Sequence, residues 1–286
     1  MRVLVGIDGS PASWEALQTL RSLALPEEVL LVHAVDPSVP IVAAGAEVFL
    51  ASAPDLEKIL RERGEALLTR AADCAPKGAE VTRHLITGSP ADVILTVAER
   101  EMVELVVVGA RGLGRVRELV LGSVSHRVID HAHCPVMVVH GEGSSSVRRV
   151  LAPVESADDG ETLLRFLKKR PFPEPLEIRV LHVVPVADPL WPLDALQSES
   201  HVKEAIQSSA ALTAGIAECL NASGHRATGV TGLGAAPVSI LHEAESFGAH
   251  LVLMGARRRS AASRFLLGSV SYTVTHQARC PVLVLR

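Results

Sequence analysis

Gly109-Ala-Arg-Gly112, nine further residues, then Gly122-Ser123 is a pattern that can hold an anion. Glycines remove the side chains where a backbone must approach a ligand closely. A Gly-Ser pair opening a helix offers free N–H groups, the positive end of a helix dipole and a hydroxyl. Arg111, Arg115 and Arg117 lie between the glycines and can counter phosphate charge. The pattern occurs twice. Gly255-Ala-Arg-Arg258, nine residues and Gly268-Ser269 follow 146 residues later without a gap, with Arg257, Arg258, Arg259 and Arg264 in the same span. Asp8, after the first apolar run, is a carboxylate able to accept a ribose hydroxyl or an adenine amine. Each of these residues also has an ordinary reading: turn glycines, a serine cap, rim arginines and an aspartate turn former.

Such residues need elements to position them, and the chain supplies them in two domain-sized copies. Apolar runs at 3–7, 29–35, 81–86, 105–108 and 136–139 read as strands. Helical stretches run from Pro11 to about residue 24, over about 54–74, over about 90–101 and over about 123–132. Ser10 before Pro11 is a cap and a first-turn proline. Apolar runs lacking polar alternation, with helices between them, imply a parallel sheet covered on both faces. The pattern restarts with strands at 150–154, 178–184, 251–254 and 282–285 and a helix over about 237–247. The expected domains are 1–140 and 149–286, joined by a Gly/Ser-rich linker at 141–148. The proline-rich stretch 185–193 reads as a loop.

Composition narrows the field. With 48 percent apolar but only 3 percent aromatic residues, the cores must be aliphatic. The net charge of −4 argues against a nucleic-acid partner. No apolar run approaches the ~18 residues of a membrane span, and the N-terminus lacks a signal-peptide pattern, so a cytoplasmic protein is expected. Cys74, Cys134, Cys219 and Cys280 form no CxxC pair and read as small packing residues in a reducing compartment. His126, His131, His133 and His140 cluster in sequence, and His131-x-His133 has metal-ligand spacing. The second copy replaces the first three with Tyr272, Gln277 and Arg279, which favours surface or helix-end histidines. Gly232-Leu-Gly234 lacks the third glycine of a dinucleotide fingerprint, and no Walker lysine motif is present.

The Gly-x2-Gly-x9-Gly-Ser motif, the first strand ending in Asp and the terminal Cys-Pro-Val strand together resemble the universal stress protein family in its tandem, two-domain form. The resemblance covers nearly all of both halves. It implies two doubly wound parallel five-stranded sheets of order 3-2-1-4-5, like those of the adenine-nucleotide alpha hydrolases. It further implies ATP at one or two sites per chain, with Mg2+ carried on the phosphates and no evident protein ligand for it. Carried over, the first site would comprise Asp8 with Gly9 and Ser10, the backbone of Ala34, and Gly109, Arg111, Gly112, Gly122, Ser123 and Val124. The second would comprise Glu155, Val183, Gly255, Arg257, Arg258, Gly268, Ser269 and Val270. It departs from the first at Glu155, one methylene longer than Asp8, and at Arg258 in place of Gly112.

The expected function is nucleotide-dependent stress regulation rather than efficient catalysis, because no positioned base, nucleophile or arginine finger is visible. A nucleotide-free scaffold and an adenylating enzyme are the alternatives. The last strands are edge candidates, so the two domains are expected to pair as an intrachain pseudo-dimer, with a further homodimer as a second level.

Overall fold

The computed structural model describes residues 1–36, 53–111, 121–141, 146–173, 175–185, 199–256 and 267–286. Its contacts separate into two compact units, one mainly of residues up to Val139 and the other from His140 onward. The first unit contains β1 (Arg2–Gly6), α1 (Pro11–Thr19), β2 (Glu28–Val35), α2 (Ala53–Cys74) and β3 (Glu80–Thr87). It continues with α3 (Pro90–Arg100), β4 (Leu105–Gly109), α4 (Ser123–His131) and β5 (Val136–Val139). All of its strand pairs are parallel, in the order β3-β2-β1-β4-β5.

The burial follows from that order. Val3, Leu4, Val5 and Leu105 to Val107 are wholly inaccessible, because β1 and β4 lie in the middle of the sheet with helices on both faces. The outer strand β3 is only partly covered, which is why its sequence alternates. The chain runs outward from β1 to β3 and then returns to β4. The direction of winding therefore reverses between β1 and β4, where a crevice opens past the carboxyl ends of the strands. Helix α1 ends at Thr19, earlier than its apolar pattern predicts, and passes into a 3-10 turn at Leu20–Ser22. The Leu20 N–H reaches the Leu17 carbonyl, the tighter i to i+3 bond that ends many helices.

The second unit contains β6 (Arg149–Pro153), α5 (Ala157–Leu167), β7 (Glu177–Val184), α6 (Glu199–Ala222) and β8 (Arg226–Leu233). It closes with α7 (Ala236–Phe247), β9 (Leu251–Gly255), α8 (Ser269–Gln277) and β10 (Val282–Leu285). Its parallel order is β8-β7-β6-β9-β10. Here α5, α6 and β8 fill the interval where the sequence pattern is weakest. β8 carries two glycines, and one has a clear cause: a Cβ on Gly229 would stand 2.7 Å from the Thr213 hydroxyl, because α6 crosses the strand closely.

The cysteines need a correction. All four are free, but Cys74 and Cys219 are exposed near the ends of the long helices α2 and α6. Only Cys134 and Cys280 pack inward, and burial pushes the Cys280 thiol up to about 11. Among the described residues no helix is long and apolar enough to cross a membrane. Most of the 185–193 loop and part of the expected linker lie outside the described residues.

Candidate nucleotide site

The first site is assembled where β1, β2 and β4 end. Gly9 turns the chain after Asp8 with a φ of 82°, a left-handed conformation that favours glycine. Ser10 then caps α1, its hydroxyl accepting from the Ser13 N–H at 3.2 Å. The Asp8 carboxylate accepts hydrogen bonds from the Ser10 N–H at 2.9 Å and from the Ser10 hydroxyl. That clamp fixes one carboxylate oxygen and leaves the group partly exposed at the strand end. Ser10 itself is only 1% exposed, so its hydroxyl belongs to the cap and to Asp8 rather than to a ligand.

Gly109 closes the gap between β4 and α1. A Cβ there would lie 2.6 Å from the Ala12 carbonyl carbon and oxygen, so the glycine is required by close packing of two backbones. The Ser10 hydroxyl lies 3.4 Å from the Arg111 carbonyl, which brings the β1 and β4 loops together. The Ala110 carbonyl accepts from the Gly122 N–H at 2.7 Å, so the loop that leaves at Arg111 returns beside its own start. Helix α4 then begins with Gly122 as N-cap, at φ −67° and ψ 152°, and no side chain caps it. Ser123 is exposed and Val124 partly so. Gly122 offers no side-chain cap to the first-turn N–H groups of α4, an arrangement that an anion site uses.

Two positioning residues were missed in the sequence. Ser125 donates to the Gly109 carbonyl at 2.6 Å, tying the start of α4 to the end of β4, and Ser271 repeats this with Gly255 at 2.9 Å. The repeated Gly-Ser-Val-Ser was the available signal, since its second serine recurs as faithfully as its first. The other is His33, whose Nδ1 lies 2.7 Å from the Ile7 carbonyl. With the proton on Nδ1 it donates to the peptide that leads into Asp8. The ring fits because α2 carries Gly64 there: a Cβ at Gly64 would meet His33 Cδ2 at 2.8 Å and Leu85 at 2.6 Å. Ala34, next along β2, is half-buried at the same sheet end.

The second unit keeps the α8 end and rebuilds the rest. Gly268 is an N-cap with φ −65° and ψ 150°, again without a side-chain cap, followed by exposed Ser269 and partly exposed Val270. Ser156, in the place of Gly9, has a φ of −151°, so the left-handed turn is lost. Helix α5 starts one residue earlier than α1 in the aligned repeat. Glu155 is exposed, and its N–H donates to Asp159 Oδ2 at 2.8 Å. Asp159 corresponds to Ala12, and its Oδ1 would lie 3.4 Å from a Cβ on Gly255. Near half-buried Val183, His182 Nδ1 is 2.9 Å from the Ser209 hydroxyl, which is 2.8 Å from Thr231 Oγ1. Ser209 and Thr231 stand where Gly64 and Leu85 stand in the first unit.

Gly112, Arg257 and Arg258, with Arg115, Arg117, Arg259 and Arg264, lie outside the described residues. The histidine cluster forms no metal centre: no group of three or more His, Cys, Asp or Glu suited to a metal occurs among the described residues. His126 pairs with Asp130 at 3.3 Å on its own helix, and His131 and His133 are exposed.

The family model described as "Universal stress protein family" matches residues 1–140 and again 146–286. Universal stress protein Rv2623 of Mycobacterium tuberculosis is 30% identical over 305 residues, covering 99% of this chain and 96% of its own length. Universal stress protein MJ0531 of Methanocaldococcus jannaschii is 33% identical over 141 residues, covering 48% of this chain and 81% of its own. A universal stress protein crystal structure from Archaeoglobus fulgidus covers 100% of this chain and 96% of its own, with a TM-score of 0.68 at 21% identity. Two family matches in tandem, each spanning one of the two parallel sheets, show that the chain belongs to the universal stress protein family.

Proposed function

We propose that this chain is an ATP-binding regulatory protein of the stress response, with one adenine-nucleotide site in each domain. One observation carries the reading. At the β1/β4 reversal of the first unit, a clamped carboxylate, a glycine strand end and an uncapped helix N-terminus come together. The carboxylate of Asp8 suits a ribose hydroxyl, the half-buried backbone of Ala34 suits an adenine edge, and the first turn of α4 suits phosphates. Gly112 and Arg111 would complete the phosphate loop. Mg2+ would be carried by the phosphates, supplying charge neutralisation. Binding is the proposed role rather than turnover, because Asp8 and Ser10 are committed to each other rather than arranged as base and nucleophile. A ligand held 100-fold above its Kd adds about 2.7 kcal/mol to the bound fold, enough to act as a switch.

The test is nucleotide content and affinity. Purified protein is denatured, released adenylates are counted per chain, and the ligand-free protein is titrated with ATP and Mg2+. Saturable binding that disappears at the first site in Gly122→Val supports the reading. No binding of any adenylate overturns it and leaves a nucleotide-free scaffold.

A further inference from the structure

The amino ends of the two sheets carry different charge. In the first unit the cations there are answered by carboxylates. The N-terminal amine is 3.1 Å from Glu27, Arg2 is 3.0 Å from Glu28 and Arg100 is 2.9 Å from Glu101. The second unit puts Arg226 where β3 starts with Glu80, and His250 where Glu104 precedes β4. Arg149, in the place of Arg2, lays its guanidinium against Gly248 and His250 instead. Hydrogen bonds tie the other cations to the same end. The Glu177 N–H donates to the Arg148 carbonyl at 2.8 Å, the Arg226 N–H to the Leu176 carbonyl at 2.8 Å, and the Leu176 N–H to His225 Nδ1 at 3.2 Å. Helix α5 finishes there too, with Lys168 as its C-cap. Arg170, at a φ of 49°, is close enough to His225 that its charge adds to burial in lowering that ring's pKa. Arg148, Lys168, Arg170 and Arg226 are all exposed. Among the described residues none of these four makes an ion pair, whereas Arg279 is paired with Glu245 at 3.3 Å. Glu174 lies outside those residues. Lys168 and Arg170 have a second use, offsetting the negative end of α5; Arg148 and Arg226, on the approaches to strands, do not share it.

We propose that this end of the second domain docks an acidic peptide segment of a partner protein. The partner's chemistry follows from what accompanies the cations. Single-stranded nucleic acid is held by aromatic faces as well as by charge, and the aromatics flanking this end, Phe166, Phe172 and Phe247, are buried. A membrane surface takes apolar side chains beside the basic ones. Among the described residues, the exposed large apolar side chains of this unit are Leu233, Val238 and Tyr272, which lie toward the opposite end of the sheet. Carboxylates need neither feature, because a guanidinium fork pairs with them through two parallel hydrogen bonds. The sheet sets the spacing. β8 and β6 are two strands apart, about 10 Å, which about three residues of extended chain can span. The net charge of −4 works against a long polyanion and favours a short acidic segment. The nucleotide crevice lies past the other ends of the strands, so this surface stands or falls independently of it.

The experiment titrates the full native chain into a fluorescein-labelled decaglutamate peptide and follows fluorescence anisotropy. Saturable binding is expected, weakening as NaCl rises from about 0.05 to about 0.3 M. In a triple variant, Arg148→Gln, Arg170→Gly and Arg226→Gln, affinity should fall on the order of tenfold. Glycine suits the left-handed backbone at position 170, so the fold should be kept, which a thermal melt checks. Arg226→Gln alone should lose about two- to threefold, giving a second reading that does not depend on the triple variant. Lys58→Gln, an exposed cation on α2 of the first domain, should leave affinity unchanged. Absence of saturable decaglutamate binding overturns the proposal. So does a folded triple variant that binds as well as the native chain, or a loss in Lys58→Gln equal to that in the triple variant. Tighter binding of decathymidylate or of phosphatidylserine vesicles than of the peptide also overturns it, making this end a nucleic-acid or a membrane surface.

Discussion

A single Cβ at position 109 would collide with the Ala12 backbone at 2.6 Å, whereas one at position 255 meets only Asp159 Oδ1 at 3.4 Å. The repeated glycine therefore has different reasons in its two copies. Gly109→Ala should cost about 1–3 kcal/mol through overpacking, and Gly255→Ala should be close to neutral. Chemical denaturation of the two variants checks this, and equal losses would show that the glycine serves the same purpose in both. A similar contrast applies to Ser209. Its hydroxyl, in a residue only 2% exposed, joins half-buried His182 to half-buried Thr231, so Ser209→Ala should cost about 1 kcal/mol by removing both bonds. The Gly64 and Leu85 pair of the first unit shows the alternative solution, an apolar seat that leaves His33 free to hold Ile7.

Among the elements, the start of α4 depends on the tie between Ser125 and the Gly109 carbonyl. Ser125→Ala should cost about 1 kcal/mol of stability and weaken ATP at the first site, read by thermal melts with and without nucleotide. A melt that shifts equally in both conditions would make the tie purely structural. The central strands were legible because they are uninterrupted Val and Leu runs, a pattern that only a doubly covered sheet requires. β8 and α6 were not, because glycines in the strand and alanines and serines along the helix blur both periods. The glycine loops were legible as a motif, although much of each lies outside the described residues. The contact of Asp159 with the Glu155 N–H was not legible either. It accompanies an α5 that starts one residue early after an extended Ser156, which no spacing in the sequence reveals.

Across the whole molecule, three partly buried histidines set the response to acid. Burial holds His84, His225 and His250 below the usual imidazole value, with Arg170 adding to the effect at His225 and Arg149 and Arg148 at His250. At His84 the nearby Glu101 works against burial. His225 Nδ1 accepts from the Leu176 N–H at 3.2 Å, and His250 Nδ1 from the Arg148 N–H at 3.1 Å, bonds that only a neutral ring can make. The folded pKa lies below the unfolded one, so the unfolded chain binds more protons in between. Stability is complete above about pH 6.5 and falls as the pH drops toward the folded values. Melting temperature should be flat from pH 8 to about 7 and decline below about 6, with the slope reduced in a His225→Gln, His250→Gln double variant. An unchanged slope would assign the acid response elsewhere.

The uneven burial of the four thiols has a practical consequence. Cys74 and Cys219 are solvent-accessible at matching places on the two long helices, while Cys134 is enclosed and Cys280 holds its proton up to about 11. A maleimide dye pair at neutral pH should therefore react at one site in each half of the native chain, without engineering. The protein carries its own molecular ruler, and energy transfer between the two dyes can follow the separation of its halves as adenylates are added.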